Sequence, residues 1–195
     1  MARTKEFDPD VALDGALELF WRRGYEATSM ADLVEHLGIG RASLYATFGS
    51  KHALYLKAMD RYVQSRDPRL LAELSQPGPV LPAVRAVVRR FAAEAADDQL
   101  RLTGCLVTNT ATELAPHDPA AARRVEISWD RVETPLHAAL VRARAQGELP
   151  EERDPLALAR MLLVLLQGLR VVGKASQDPA RVRDAAEQAL LLLEE

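Results

Sequence analysis

Apolar residues recur at three- and four-residue spacing along this chain, and long strand-like runs of Val, Ile and Thr are absent. The pattern predicts helices over 9–23, 29–37, 40–48, 51–65, 80–96, 105–114, 119–145, 155–174 and 179–193, an all-α protein. Asp-Pro pairs punctuate it at Asp8-Pro9, Asp67-Pro68, Asp118-Pro119, Asp154-Pro155 and Asp178-Pro179. Asp caps a helix well, and Pro suits the first helical position because its missing N–H is not needed there. All but the Asp67 pair precede an amphipathic stretch and mark helix starts; that pair is expected in a connecting region. Pro135 is expected to kink the helix that contains it.

The segment from Thr28 to Lys51 differs from the rest. Ser29 and Asp32 fit a capping box, and Met30, Leu33, Val34 and Leu37 then share one helical side. Gly38 stands where a helix ends in a positive φ. Ile39 fills the corner, and Leu44 and Phe48, four apart, point inward with it. The other side of the second helix carries Ala42, Ser43 and Ala46, flanked by Tyr45 and Thr47, with Arg41 at its N-terminal end. Such a face suits a DNA major groove. Small residues allow close approach, Ala meets thymine methyls, Ser43 reaches a base edge and Arg41 forks onto guanine. Tyr45, Thr47 and Lys51 are placed to bind flanking phosphates, which fix register, and Thr28 and Ser29 are expected among the DNA-binding residues as well. The same spacing also serves as an ordinary corner of an all-α protein, with Tyr45 half-buried in packing and Arg41 a solvated charge.

The order of residues adds a resemblance. Positions 11–62, about a third of the chain, resemble the N-terminal domain of the TetR family of bacterial transcriptional regulators, through GYEATSM, the LGI turn, SLY..F and GSK.ALY. Three positions depart from the usual pattern: Gly40 replaces Ser or Thr, Ala42 replaces a common Gly, and Thr47 replaces His or Tyr. Each bears on operator preference. The resemblance implies a helix-turn-helix DNA-binding domain over 1–50 and a helical ligand-binding and dimerisation domain over 51–195. It implies a homodimeric, ligand-responsive repressor acting on a palindromic double-stranded operator, with the fourth helix transmitting the signal. Two-fold dimers read half-sites about one helical turn, ~34 Å, apart.

The last two helices carry the expected dimer face. MLLVLLQGL is apolar nearly all round, and Val182, Ala185, Ala186, Ala189, Leu190 and Leu193 align on the helix that follows. These sets read equally as a monomer core; the resemblance implies a four-helix interface, with Gly168 and Gly173 allowing close approach. It also implies a cavity for a small-molecule effector. Phe91, Asn109, Trp129, His137, Gln167 and Arg170 are the candidates, being polar or aromatic residues among apolar ones. Each has a plain packing or surface alternative. Cys105 follows Gly104 at a helix start, where a thiol's pKa falls. GCLVTN resembles the matching region of family members that respond to electrophiles or oxidants through a cysteine. The alternative is a buried cysteine acting as a small hydrophobe.

Composition narrows this picture in two ways. The formal net charge is −3, and acids roughly balance bases over the first 65 residues. DNA affinity would therefore rest on local placement of Arg3, Lys5, Arg41, Lys51, His52 and Lys57. The near-neutral charge leaves a helical ligand-binding or scaffolding dimer without a DNA role as the alternative. The single cysteine forms no intramolecular disulfide, the N-terminus MARTKEFDPD is polar, and the apolar stretch 161–166 is too short to span a bilayer, so a cytoplasmic protein is expected. His36, His52, His117 and His137 show no metal-ligand spacing, and no catalytic set or phosphate-binding loop is evident. The expectation is no enzyme, no metal and no cofactor.

Overall fold

The computed structural model describes residues 7–193, and at 66–68 the backbone alone. Among the described residues it is all-helical: α1 (Pro9–Arg23), α2 (Met30–Leu37), α3 (Arg41–Phe48), α4 (Lys51–Leu74), α5 (Val80–Ala96), α6 (Leu106–Glu113), α7 (Pro119–Ala145), α8 (Pro155–Ala175) and α9 (Ala180–Leu191). Asp8, Asp118 and Asp154 cap the helices that begin with Pro9, Pro119 and Pro155, as the Asp-Pro pairs predict. Asp178 likewise accepts the Ala180 N–H at 3.0 Å, although Pro179 there flanks α9 and does not begin it. Pro135 lies inside α7, which runs through it.

The largest departure is α4. It was expected to stop at 65, with Asp67-Pro68 in a connection, yet it continues to Leu74. Leu70 and Leu74 explain the extension, because both are buried in the C-terminal core. Tertiary burial outweighs the low helix propensity of proline.

Two hydrophobic cores divide the molecule. The first joins α1–α3 and the N-terminal half of α4 to Cys105, Leu106, Val107, Leu114, Ala121 and Val125. The second joins the end of α4 to α5, the C-terminal half of α7, α8 and α9. Ser50 caps α4, and α6 and the start of α7 pack into the first core as well.

Gly173 brings α8 tightly onto α5. A Cβ at this position would lie 2.3 Å from the Ala95 carbonyl oxygen. The close approach expected of Gly173 is therefore made within the chain. Gly168 is exposed, and a Cβ there meets open space. α8 also corrects the membrane expectation: it is 21 residues long and holds an 18-residue stretch of mean hydropathy 1.7, enough to cross a bilayer by length and composition alone. Here Leu158, Leu162, Leu166 and Leu169 turn inward to the second core, while Val164, Val171 and Val172 are exposed.

Candidate functional site

The α2–turn–α3 segment folds as its residues dictate. Ser29 and Asp32 cap α2 reciprocally. Gly38 takes φ +64°, a left-handed conformation that favours glycine. Ile39, Leu44 and Phe48 are buried, which fixes α3 against the first core. That packing leaves Arg41, Ala42, Tyr45, Ala46 and Thr47 exposed and Ser43 half-buried. The Arg41 guanidinium lies 5.7 Å from the Tyr45 ring centre. No side chain caps α3 at Gly40, so its first N–H groups remain open to an anion.

Three of the expected DNA-facing residues behave differently. Thr28 is fully buried, and its hydroxyl donates to the Gly24 carbonyl at 2.7 Å. It holds the α1–α2 loop and does not reach a DNA surface. Ser29 is exposed, but its side chain is engaged with Asp32. Lys51 is half-buried; its Nζ donates to the Tyr25 carbonyl at 2.8 Å and lies 4.0 Å from the Tyr25 ring centre. That leaves two of its three donors for a phosphate. Of the other expected basic residues, His52 is turned to Asp118, Lys57 is exposed beside Phe48, and Arg3 and Lys5 lie outside the described residues.

α3 contains no acid, although Asp8 lines a cavity together with Gly40 and Ser43 at its start. Asp10 and Asp14 pair with Arg61, Glu18 with Arg22, and Asp32 with Arg23. Four acids of the N-terminal third are thus neutralised by neighbouring arginines, and the α3 face carries Arg41.

A cavity of about 250 Å³ lies among α4, α5, α7, α8 and the start of α6. Phe91, Cys105, Gln167 and Arg170 line it, as expected. Asn109, Trp129 and His137 do not. Asn109 is held by the Thr103 carbonyl and Lys174, Trp129 packs against the first core with its indole nitrogen buried, and His137 is half-buried elsewhere on α7. Sequence reading missed Tyr62, Ser65, Arg69, Arg90 and Arg131, which also line the cavity. The spacing of Tyr62, Ser65 and Arg69 on one side of α4 is the signal that could have found them.

The polar groups of this wall are ordered. Arg90 donates to Glu73 at 2.8 Å and to Glu94 at 3.1 Å. Thr108 Oγ1 donates to Gln167 Oε1 at 2.6 Å. Arg170 Nη1 points at Cys105 Sγ, 3.2 Å away, and its guanidinium carbon lies 4.3 Å from the Phe91 ring centre. Burial pushes the Cys105 thiol pKa up, but Arg170 and bonds from Thr108 and Tyr62 outweigh it and hold the thiol below its ordinary value.

α6 ties this cavity to the helix-turn-helix. Cys105 is its N-terminal flanking residue. Along the same element, the Gly104 carbonyl accepts from Trp21 Nε1 at 3.0 Å, and Thr110 Oγ1 meets the Tyr55 hydroxyl at 2.8 Å. Glu113 accepts the backbone N–H groups of Tyr25 and Glu26 at 3.1 and 2.8 Å, in the α1–α2 loop. Replacing Glu113 by Ala leaves two loop donors without their charged acceptor. The expected loss is about 1–3 kcal/mol of unfolding free energy, measurable by urea denaturation.

Comparison with known proteins decides the family. Residues 12–58 match the family described as "Bacterial regulatory proteins, tetR family", and residues 80–189 match "Tetracyclin repressor-like, C-terminal domain". The uncharacterized HTH-type transcriptional regulator YezE of Bacillus subtilis is 38% identical over 195 residues, covering all of both chains. The chain belongs to the TetR family of bacterial transcriptional regulators. Its resemblance to the TetR family over 11–62 therefore extends through the C-terminal helices. Among other TetR-family relatives, the HTH-type transcriptional repressor ComR of Escherichia coli is 32% identical over 190 residues, covering 97% of this chain and 90% of its own. A solved TetR-family regulator, a CifR cysteine mutant complexed with 26-bp double-strand operator DNA, superposes with a TM-score of 0.83. It is 30% identical and covers 97% of this chain and 98% of its own. As a TetR-family member the protein is a helix-turn-helix transcriptional regulator and not an enzyme.

Proposed function

We propose that this protein is a homodimeric repressor, acting in the bacterial cytoplasm, that leaves a palindromic operator when a small molecule enters the cavity or modifies Cys105. The observation that carries the DNA reading is α3 itself: an acid-free face of Arg41, Ala42, Tyr45, Ala46 and Thr47, fixed from beneath by Ile39, Leu44 and Phe48. The operator complex of CifR, a relative of matching fold, supports the same reading. Residues 1–50 read DNA, and 51–195 sense and dimerise. Arg41, Ala42, Ser43 and Ala46 face base edges. Tyr45, Thr47 and Lys51 hold flanking phosphates, assisted by the open N-terminus of α3. Arg41→Ala is expected to weaken operator binding by ~1–3 kcal/mol and to relax preference at one base pair. Lys51→Ala weakens all sequences alike and flattens the salt dependence. Competition titrations against operator variants separate the two effects.

The dimer reading is supported by the outer stripe of α8. Val164 is 71% exposed and Val171 48%, with Gly168 between them, and Leu191 at the end of α9 and Leu192 just after it are exposed as well. An apolar stripe of this kind on two neighbouring helices suits a two-fold, self-complementary contact. The charged Arg160, Arg170 and Lys174 within α8 do not suit a bilayer.

Signal transmission is proposed through α6 together with α4. A group that shifts Cys105, Arg170 or Gln167 moves the start of α6, whose other bonds grip Trp21, Tyr25, Glu26 and Tyr55. The effector acts only through its differential affinity for the two arrangements. An alkylating quinone is expected to release wild-type protein from operator DNA and to leave Cys105→Ser bound. Equal release of both in a gel-shift assay contradicts the role of the thiol.

A further inference from the structure

The cations in the cavity wall differ in how they are answered. Glu73 and Glu94 neutralise Arg90, and Arg69 shares the same two carboxylates. Arg170 has no such carboxylate partner at close range: it points at the Cys105 sulfur and lies over the Phe91 ring, with Tyr62 nearby. Glu94 reaches it only at longer range and is already shared. A guanidinium withdrawn from water is costly unless an anion faces it. It also presents a planar fork that matches a carboxylate. Beside it the wall turns apolar, with Phe91, Val63, Leu70, Val107 and Val132. The volume, about 250 Å³, falls under the roughly 300–1,000 Å³ of pockets for drug-sized ligands. A second cavity of about 420 Å³ adjoins it, sharing Tyr62, Arg69, Glu94 and Arg170.

We propose that the effector is a small monocarboxylate with a single-ring or short-chain apolar body, anchored by Arg170, its carboxylate replacing the Cys105 sulfur as the guanidinium's partner. This inference rests on reading the cavity as the effector site. The hydrocarbon body lies against Phe91 and the valines. Cys105 then loses its cationic neighbour, so its thiol ionises less readily and reacts more slowly with electrophiles. Carboxylate binding and thiol modification are therefore mutually antagonistic, and linkage makes the antagonism reciprocal.

The test uses the full-length protein with benzoate and 3-phenylpropionate, against the neutral benzamide and 3-phenylpropanamide. Calorimetry is expected to show the acids binding on the order of tenfold or more tightly than the amides, with the difference lost in Arg170→Gln. A second readout needs no variant: saturating acid slows alkylation of wild-type Cys105 by iodoacetamide at neutral pH and moves its pH profile upward, while the amide leaves the profile in place. Amides binding as tightly as acids, no binding by either, or an alkylation profile indifferent to the acids overturns the proposal. A parallel gel shift keeps the two readings apart. Operator binding that persists in such a case leaves the DNA reading standing, whereas wild-type protein that never binds operator removes that reading itself.

Discussion

A variant carrying both Val164→Glu and Val171→Glu is expected to fold as a monomer and to lose tight operator binding. Both positions lie on the outer stripe of α8, where the side chains are already exposed in a single chain. Substitution there leaves the second core untouched, and the helical spectrum stays as in the parent. Across a two-fold contact, however, four carboxylates would meet in one apolar patch. Burying unpaired like charges costs more than the patch returns. The two reading heads then bind independently, and the gain from joining two modules, on the order of 10²–10⁴ in affinity, disappears. Light scattering gives the mass and anisotropy titration gives the affinity. A variant that remains dimeric and binds as the parent does places the dimer contact on some other surface.

The second large effect concerns stability, and its sign differs between two glycines of one helix. Gly173→Ala is expected to destabilise the fold by about 3 kcal/mol, the upper part of the range for overpacking. The added Cβ would stand 2.3 Å from the Ala95 oxygen and 2.9 Å from the Ala95 Cβ. The oxygen is backbone, so no rotamer change relieves the clash, and α8 must move off α5. Gly168→Ala meets nothing within 4 Å. It is expected to stabilise the helix by up to ~1 kcal/mol through propensity alone. Denaturant unfolding in the monomeric double-Glu background separates these effects from the dimer contact. Equal stability of Gly173→Ala and its parent would show that α8 and α5 pack less closely than described.

The helices were legible where local signals agreed. The Ser29–Asp32 box, the Gly38 turn and the buried trio of Ile39, Leu44 and Phe48 are all short-range features, and they fix α2 and α3. The length of α4 was not legible, because Asp67-Pro68 reads locally as a break while Leu70 and Leu74 find their core only in three dimensions. Thr28 lies within the motif but faces inward, which the loop geometry around Gly24 decides. The cavity was half legible. Phe91, Cys105, Gln167 and Arg170 stood out as unusual residues among apolar ones, yet so did Asn109, Trp129 and His137, and helical periodicity does not say which helices face one another. The grip of Glu113 on the Tyr25–Glu26 loop joins residues almost ninety positions apart, and no local pattern announces it.

On the proposed function, two copies of α3 read one operator. The most direct test is an anisotropy titration of the purified protein against DNA from its own promoter region, repeated across salt concentrations and followed by footprinting. Saturable binding is expected, with an affinity whose logarithm falls linearly with the logarithm of salt concentration, and with protection of two half-sites about one helical turn, ~34 Å, apart. Affinity too weak to saturate at low salt, or binding that ignores salt and protects no paired half-sites, would contradict it.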